Sequence, residues 1–328
     1  MWDSGLVFRP RAGVGLFSRS KKIVKFLKKL LFLIIGLIAF GLLVFLVWNQ
    51  RNAFFYFDFL SVSFVFRFLL SAVFFSTIYP VSGIAYHLLV RHKFPSSTWM
   101  LQTKIISIGQ LARYLPGNVA QLVARAAMLK AQSAPLLLIA SSMVLETGLT
   151  IVAAASLSVL GLLTFGFQLP SSLDLSDKSF FLALGVCLGV LALLTSWKLA
   201  GSSMLRQVLS LLDGLTVPIL VNILGLYLIN FILVGVGFTV LGGFFGVPLI
   251  LVPYMSAAFS LAWVIGSVIP GPPAGLGVRE LVLISLLNDI VPHDSAVVLV
   301  SMHRLSTLLS DAVLGCTAGI AYFRGNLR

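Results

Sequence analysis

The chain has 328 residues, 59% hydrophobic and only 10% charged, with 23 Lys and Arg against 10 Asp and Glu and a formal net charge of +13. Soluble domains carry about 25% charged residues, so a mean hydropathy of +1.06 excludes that class. Continuous Leu, Val, Ile and Phe runs of helical length also exclude a transmembrane β-barrel, whose strands alternate over short segments. The fold class is all-α integral membrane, with about six full transmembrane helices and two oppositely oriented re-entrant helical hairpins in an inverted repeat.

Residues 1–29 carry eight Lys and Arg against one acid, Asp3. This basic tail precedes the apolar run Leu30–Trp48, which is longer than the h-region of a secretory signal and lacks its small-residue cleavage site. The segment therefore predicts a retained first helix with a cytoplasmic tail. The basic excess is read as a topology signal with some affinity for anionic lipid heads, and no nucleic-acid partner is expected. The remainder, 30–328, forms a single membrane domain.

Full spans are predicted at about 30–48, 59–90, 134–162, 179–197, 215–243 and 295–322. Pro80 lies inside the second and predicts a tilt or kink there. Two further hydrophobic regions, about 96–130 and 247–290, are broken at their centres by Leu115-Pro116-Gly117 and by Ile269-Pro270-Gly271-Pro272-Pro273. With the N-terminus inside, the loops expected outside hold Arg51 and Lys178 against five Asp. The inner segments collect Arg91, Lys93, Lys104, Lys130, Lys198, Arg206, Arg324 and Arg328. This distribution follows the positive-inside rule and puts both termini in the cytoplasm.

On that layout the first broken region enters from the cytoplasm and returns there. The second enters from the outside, with full crossing of 247–269 and 277–290 as the alternative. Hairpins of opposite sense mark an inverted repeat, here about 59–162 and 215–322. In each half an arginine follows the proline by nine residues, Pro116 to Arg125 and Pro270 to Arg279.

Arg113, Arg125, Glu146, Arg279, Glu280, Arg304 and Asp311 fall inside predicted membrane segments, with His303 beside Arg304. Each such charge costs at least about 2.5–3.5 kcal/mol at mid-bilayer, so together they must face a shared polar interior or close into salt bridges. Four arginines against three carboxylates favour an anion, and the guanidinium fork suits phosphate. Helix N-termini after Pro116-Gly117 and at Gly275-Leu276-Gly277 are expected to add backbone N–H donors. Cys187 and Cys316 show no metal or redox spacing, and neither a metal nor another cofactor is expected. Gly185 and Gly189 form a small-xxx-small pair without further consequence.

The segment from Arg113-Tyr114-Leu115-Pro116-Gly117-Asn118 to Arg125-Ala126, and the segment from Ile269-Pro270-Gly271 to Gly275-Leu276-Gly277-Val278-Arg279-Glu280, resemble two signature motifs. They are those of the lysylphosphatidylglycerol synthase transmembrane-region, or flippase-like, family. The resemblance spans roughly 25–325, and Glu146 resembles the acidic residue in the helix after the first motif. It implies lipid translocation in the inner membrane, with the substrate an anionic phospholipid or polyprenyl-phosphate-linked saccharide. The soluble aminoacyltransferase domain of bifunctional members is not expected here, so the chain reads as a stand-alone member with no catalytic residue.

On this reading Arg125 and Arg279 bind the headgroup, and Glu146 and Glu280 orient them or relay protons. Arg113 and Arg304 support them, and Pro116, Gly117, Pro270, Gly271, Gly275 and Gly277 shape the cavity. Two alternatives are a membrane-embedded enzyme acting on a lipid-linked substrate and an accessory subunit of a glycosyltransferase or synthase. No acidic pair with metal-ligand spacing and no evident nucleophile supports the enzyme.

Overall fold

A computed structural model of the chain describes residues 48, 57–113, 120–165, 210, 214–268 and 277–326. The spans predicted at 30–48 and 179–197 and both hairpin tips, with Pro116, Gly117, Pro270, Gly271 and Gly275, lie outside the described residues apart from Trp48. Everything described is helix or connection, with no strand among the described residues. The elements are α1 (Val62–Val90), α2 (Trp99–Ala112), α3 (Ala120–Ala131), α4 (Leu136–Phe165) and α5 (Val217–Gly242), followed by α6 (Val252–Val268), α7 (Val278–Leu287) and α8 (His293–Asn326). Two single 3₁₀ turns, Gly243–Phe245 and Leu249–Leu251, join α5 to α6.

Five helices are long and apolar enough to cross a membrane: Val62–Val90, Leu136–Phe165, Val217–Phe245, Leu249–Ser267 and His293–Tyr322. Four coincide with spans read from the sequence. The fifth, Leu249–Ser267, falls in the first arm of the second broken region and meets the length and composition of a span by itself. Leu60, Val62, Leu163 and Val217 are more than two-thirds exposed. Water would oppose such a surface and lipid accepts it, so these side chains form the outer face of the bundle.

The helix boundaries have local causes. Ser61 caps α1 by accepting from the Phe64 N–H at 3.3 Å, and Thr98 caps α2 by accepting from Leu101 at 3.2 Å. Such caps satisfy donors that the first turn leaves open. Pro218 sits in the first turn of α5, where its missing N–H costs nothing. α1 runs unbroken through Pro80. α3 closes in a Schellman motif: Ser133 stands at φ 64°, its N–H donates to Lys130 O at 3.0 Å, and the Ala134 N–H donates to Leu129 O at 3.1 Å. Serine occupies a position that glycine normally fills. Gly246, at φ 87°, makes the turn between the two 3₁₀ segments.

Helix lengths run long, short, short, long twice over, as 29, 14, 12 and 30 residues and then 26, 17, 10 and 34. The packing follows the same order. α1 lies along α5; α2 packs on α1 as α6 packs on α5; α3 follows α2 as α7 follows α6. α4 meets α5 and α6, while α8 meets α1 and α2. Each contact between a long helix and the short helix that follows it passes a glycine. A Cβ on Gly83 of α1 would overlap Thr103 of α2, and one on Gly235 of α5 would overlap Ser256 of α6. Close backbone approach of this kind is how helices associate where no hydrophobic effect operates between them.

Charge separates along the bundle. Exposed Arg91, Lys93 and Lys130 lie at the C-terminal ends of α1 and α3, and Arg324 at that of α8. Tyr322 of α8 reaches Gln132 and Met128 beside the end of α3, so these ends share one face. Exposed Asp58 lies just before α1, exposed Asp289 between α7 and α8, and exposed Asp294 in the first turn of α8.

Candidate functional site

Six of the seven charges predicted inside the membrane region gather into three ion pairs, Arg113 with Asp311, Arg125 with Glu146 and Arg304 with Glu280. Arg125, on α3, donates from Nη2 to Glu146 Oε2 of α4 at 2.8 Å. Its guanidinium lies over the Tyr86 ring of α1, 5.0 Å from the centroid, and the Tyr86 hydroxyl is bonded to Ser142 at 2.7 Å. Arg125 is only 9% exposed, so this contact is largely desolvated and correspondingly strong. Its stem passes Gly109 of α2, where any Cβ would come within 2.6 Å of Arg125 Cγ. The glycine is what lets α2 and α3 close on the arginine.

Arg113, at the end of α2, pairs with Asp311 of α8 at 3.6 Å and also donates to Gln110. Asp311 is buried and accepts from the Tyr79 hydroxyl of α1. The C-terminal end of α2 is thus tied to α8.

The start of α7 is organised around Gly277 and Glu280. Gly277 stands at φ 89°, a conformation that side chains resist. Its N–H donates to Glu280 Oε2 at 2.7 Å, capping α7. Glu280 Oε1 is 4.0 Å from Arg304 Nε of α8. The sequence reading left the Gly275–Gly277 N–H groups for an anion, but Gly277 spends its own on Glu280, because a buried carboxylate three residues on meets the first turn from inside.

Arg279 lies over the Phe259 ring of α6 at 5.8 Å, and its stem runs 3.4 Å from where a Cβ of Gly266 would sit. Both Pro-plus-nine arginines therefore cross a glycine of the preceding short helix. His303 is buried among the rings of Phe75, Phe238 and Phe259, at 4.8, 4.4 and 5.5 Å between centroids.

The structure thus joins Arg125 to Glu146 and Glu280 to Arg304, and places Arg113 and Arg279 at their own contacts. Asp311, counted among the membrane charges but not among the site residues, is the partner of Arg113. Tyr79, Tyr86 and Tyr227 were missed. A tyrosine inside an otherwise apolar span is a readable signal, since its hydroxyl needs a partner there. Arg67 was missed as well, although it falls inside a predicted span; it donates to Val240 O at the end of α5 at 3.4 Å. Among the described residues no group of three or more His, Cys, Asp or Glu side chains is placed to hold a metal ion.

The described elements are those of a multi-pass helical membrane protein with an ionic interior. Compared with known proteins, the chain matches no family model, no curated sequence and no solved structure.

Proposed function

We propose that the chain is a translocase of the flippase-like family its two motifs resemble. It moves an anionic phospholipid or a polyprenyl-phosphate-linked lipid between the leaflets of the inner membrane. The observation that carries this reading is the seating of Arg125, which is buried, and Arg279, which is half-buried, each nine residues beyond the proline of a short-helix pair and each over an aromatic ring. A purely structural pair would need as many carboxylates as arginines. Here Arg113, Arg125, Arg279 and Arg304 outnumber Glu146, Glu280 and Asp311, which favours an anionic occupant.

The lengths of α2, α3 and α7 support re-entrance of those three arms, whereas α6 with the 3₁₀ turn before it meets the length of a span. α2, α3 and α7 extend about 21, 18 and 15 Å at 1.5 Å per residue, short of a hydrocarbon core of roughly 30 Å. α2 and α3 have their outer ends beside the basic face, while α6 and α7 have theirs beside the acidic one, as an inverted repeat requires. The basic face, and with it the C-terminus, is then cytoplasmic.

Translocation proceeds by release of one hairpin latch at a time. Arg113–Asp311 holds the first and Glu280–Arg304 holds the second. The headgroup exchanges between the two arginines as each side opens. The test is reconstitution into liposomes with a fluorescent anionic lipid and a leaflet-selective quencher. Wild type is expected to accelerate exchange between leaflets, and Arg125→Ala and Arg279→Ala to lower the rate at least tenfold while inserting normally. Full-rate exchange by both variants overturns the assignment.

A further inference from the structure

Tyr227 lies on α5, 3% exposed, and its hydroxyl has no hydrogen-bond partner among the described residues. It is within electrostatic range of Arg125, Glu146 and Tyr86. Arg125, within that electrostatic range, carries an unused donor of its own, its buried Nε–H. The other tyrosine of the cluster differs: the Tyr86 hydroxyl is already bonded to Ser142.

Buried donors without acceptors are disfavoured because each has given up water and gained nothing. Two of them beside one cation form an arrangement that an oxyanion completes. A non-bridging phosphoryl oxygen has lone pairs enough to accept from both. Arginine's fork allows it to hold Glu146 through Nη2 and present Nε elsewhere at the same time. The Glu146 carboxylate is the one repulsive element, and its bond to Arg125 Nη2 partly neutralises it.

We infer that the Tyr227 hydroxyl and Arg125 Nε together form a phosphoryl-oxygen subsite, with one donor from each half of the molecule. This rests on the reading of Arg125 as a headgroup ligand and extends it to α5. It makes the first-hairpin site dependent on α5 staying in place. Phosphate monoesters and diesters fit this subsite, and a free phosphate ion shares the chemistry.

The experiment uses the full chain in detergent, with thermal unfolding and binding titrations. The probes are dihexanoyl phosphatidylglycerol, dihexanoyl phosphatidic acid, inorganic phosphate and, as a control, zwitterionic dihexanoyl phosphatidylcholine. Without ligand, Tyr227→Phe is expected to unfold at the wild-type temperature or above, because it removes an unsatisfied group and keeps the ring. Its affinity for the anionic lipids is expected to fall tenfold or more. Arg125→Lys keeps the charge, loses Nε and should fall similarly. Tyr322→Phe, whose hydroxyl meets Gln132 and Met128 at the basic end, should bind as wild type.

Wild-type affinity in Tyr227→Phe with loss in Arg125→Ala overturns the subsite and leaves the translocase reading standing. Wild-type affinity in both removes Arg125 as a ligand as well. A lower unfolding temperature for unliganded Tyr227→Phe overturns the inference by showing that the hydroxyl is a structural donor. Tight phosphate binding that depends on Tyr227, with no lipid binding, supports the subsite and overturns the lipid as its occupant.

Discussion

Arg125 and Glu146 meet at 2.8 Å with Tyr86 beneath the guanidinium, and their side chains are only 10% and 13% exposed. The attraction within such a pair roughly offsets the cost of drying both ions, so the pair adds little net stability, while removing one member strands the other. Glu146→Gln is therefore expected to destabilise the protein by about 3–5 kcal/mol, read as a fall in unfolding temperature in detergent. The double substitution Arg125→Met with Glu146→Leu is expected to recover most of that loss and to remain inactive in lipid exchange. Recovery of stability and exchange together would make the pair a structural tie. These two residues were legible one at a time, because a charge inside an apolar run stands out. Their pairing was not, since twenty-one positions separate them and only the turn of α3 onto α4 brings them together.

At the scale of elements, the contact between α5 and α6 turns on Gly235. A Cβ there would come within 2.7 Å of the Ser256 Cα, and backbone cannot step aside as a flexible side chain can. Gly235→Leu is expected to cost about 1–3 kcal/mol through overpacking, seen as a lower unfolding temperature and a wider spread of oligomers by size-exclusion chromatography. Gly225→Ala, on the same helix, has no neighbouring atom within 4 Å and should be neutral or stabilising by up to about 1 kcal/mol. Wild-type behaviour by Gly235→Leu would mean that the two helices are not closely packed. Helix existence was readable from apolar runs and from Pro-Gly breaks, and four spans fell within a few residues of the observed ends. Which glycines serve contacts was hidden, because Gly225 and Gly235 look alike in sequence and differ only in what faces them.

For the whole molecule, the separation of bases from acids along the bundle and the doubled order of helix lengths lead to one topological expectation. In a background carrying Cys187→Ala and Cys316→Ala, Ser96→Cys and Ser133→Cys should react with a membrane-impermeant maleimide from one side. Asn288→Cys should react only from the other. Vesicles of both orientations provide the measurement. Labelling of all three from the same side would rule out hairpins of opposite sense. The basis is electrostatic: Lys and Arg are held back on the cytoplasmic side during insertion, so loop charge sets orientation.

The sequence by itself determined the solvent, the helical class and the presence of costly charges beside two Pro-Gly breaks. Those follow from composition and from the transfer free energy of single residues, which are additive along a chain. Tertiary structure decided which charges share a partner: Arg113 with Asp311, Arg125 with Glu146 and Arg304 with Glu280. It also turned the Gly277 N–H inward to Glu280 and left the buried Tyr227 hydroxyl without a hydrogen-bond partner among the described residues. Pairing depends on the direction of a side chain from a helix whose rotation is fixed by its neighbours, and no local stretch of sequence carries that angle.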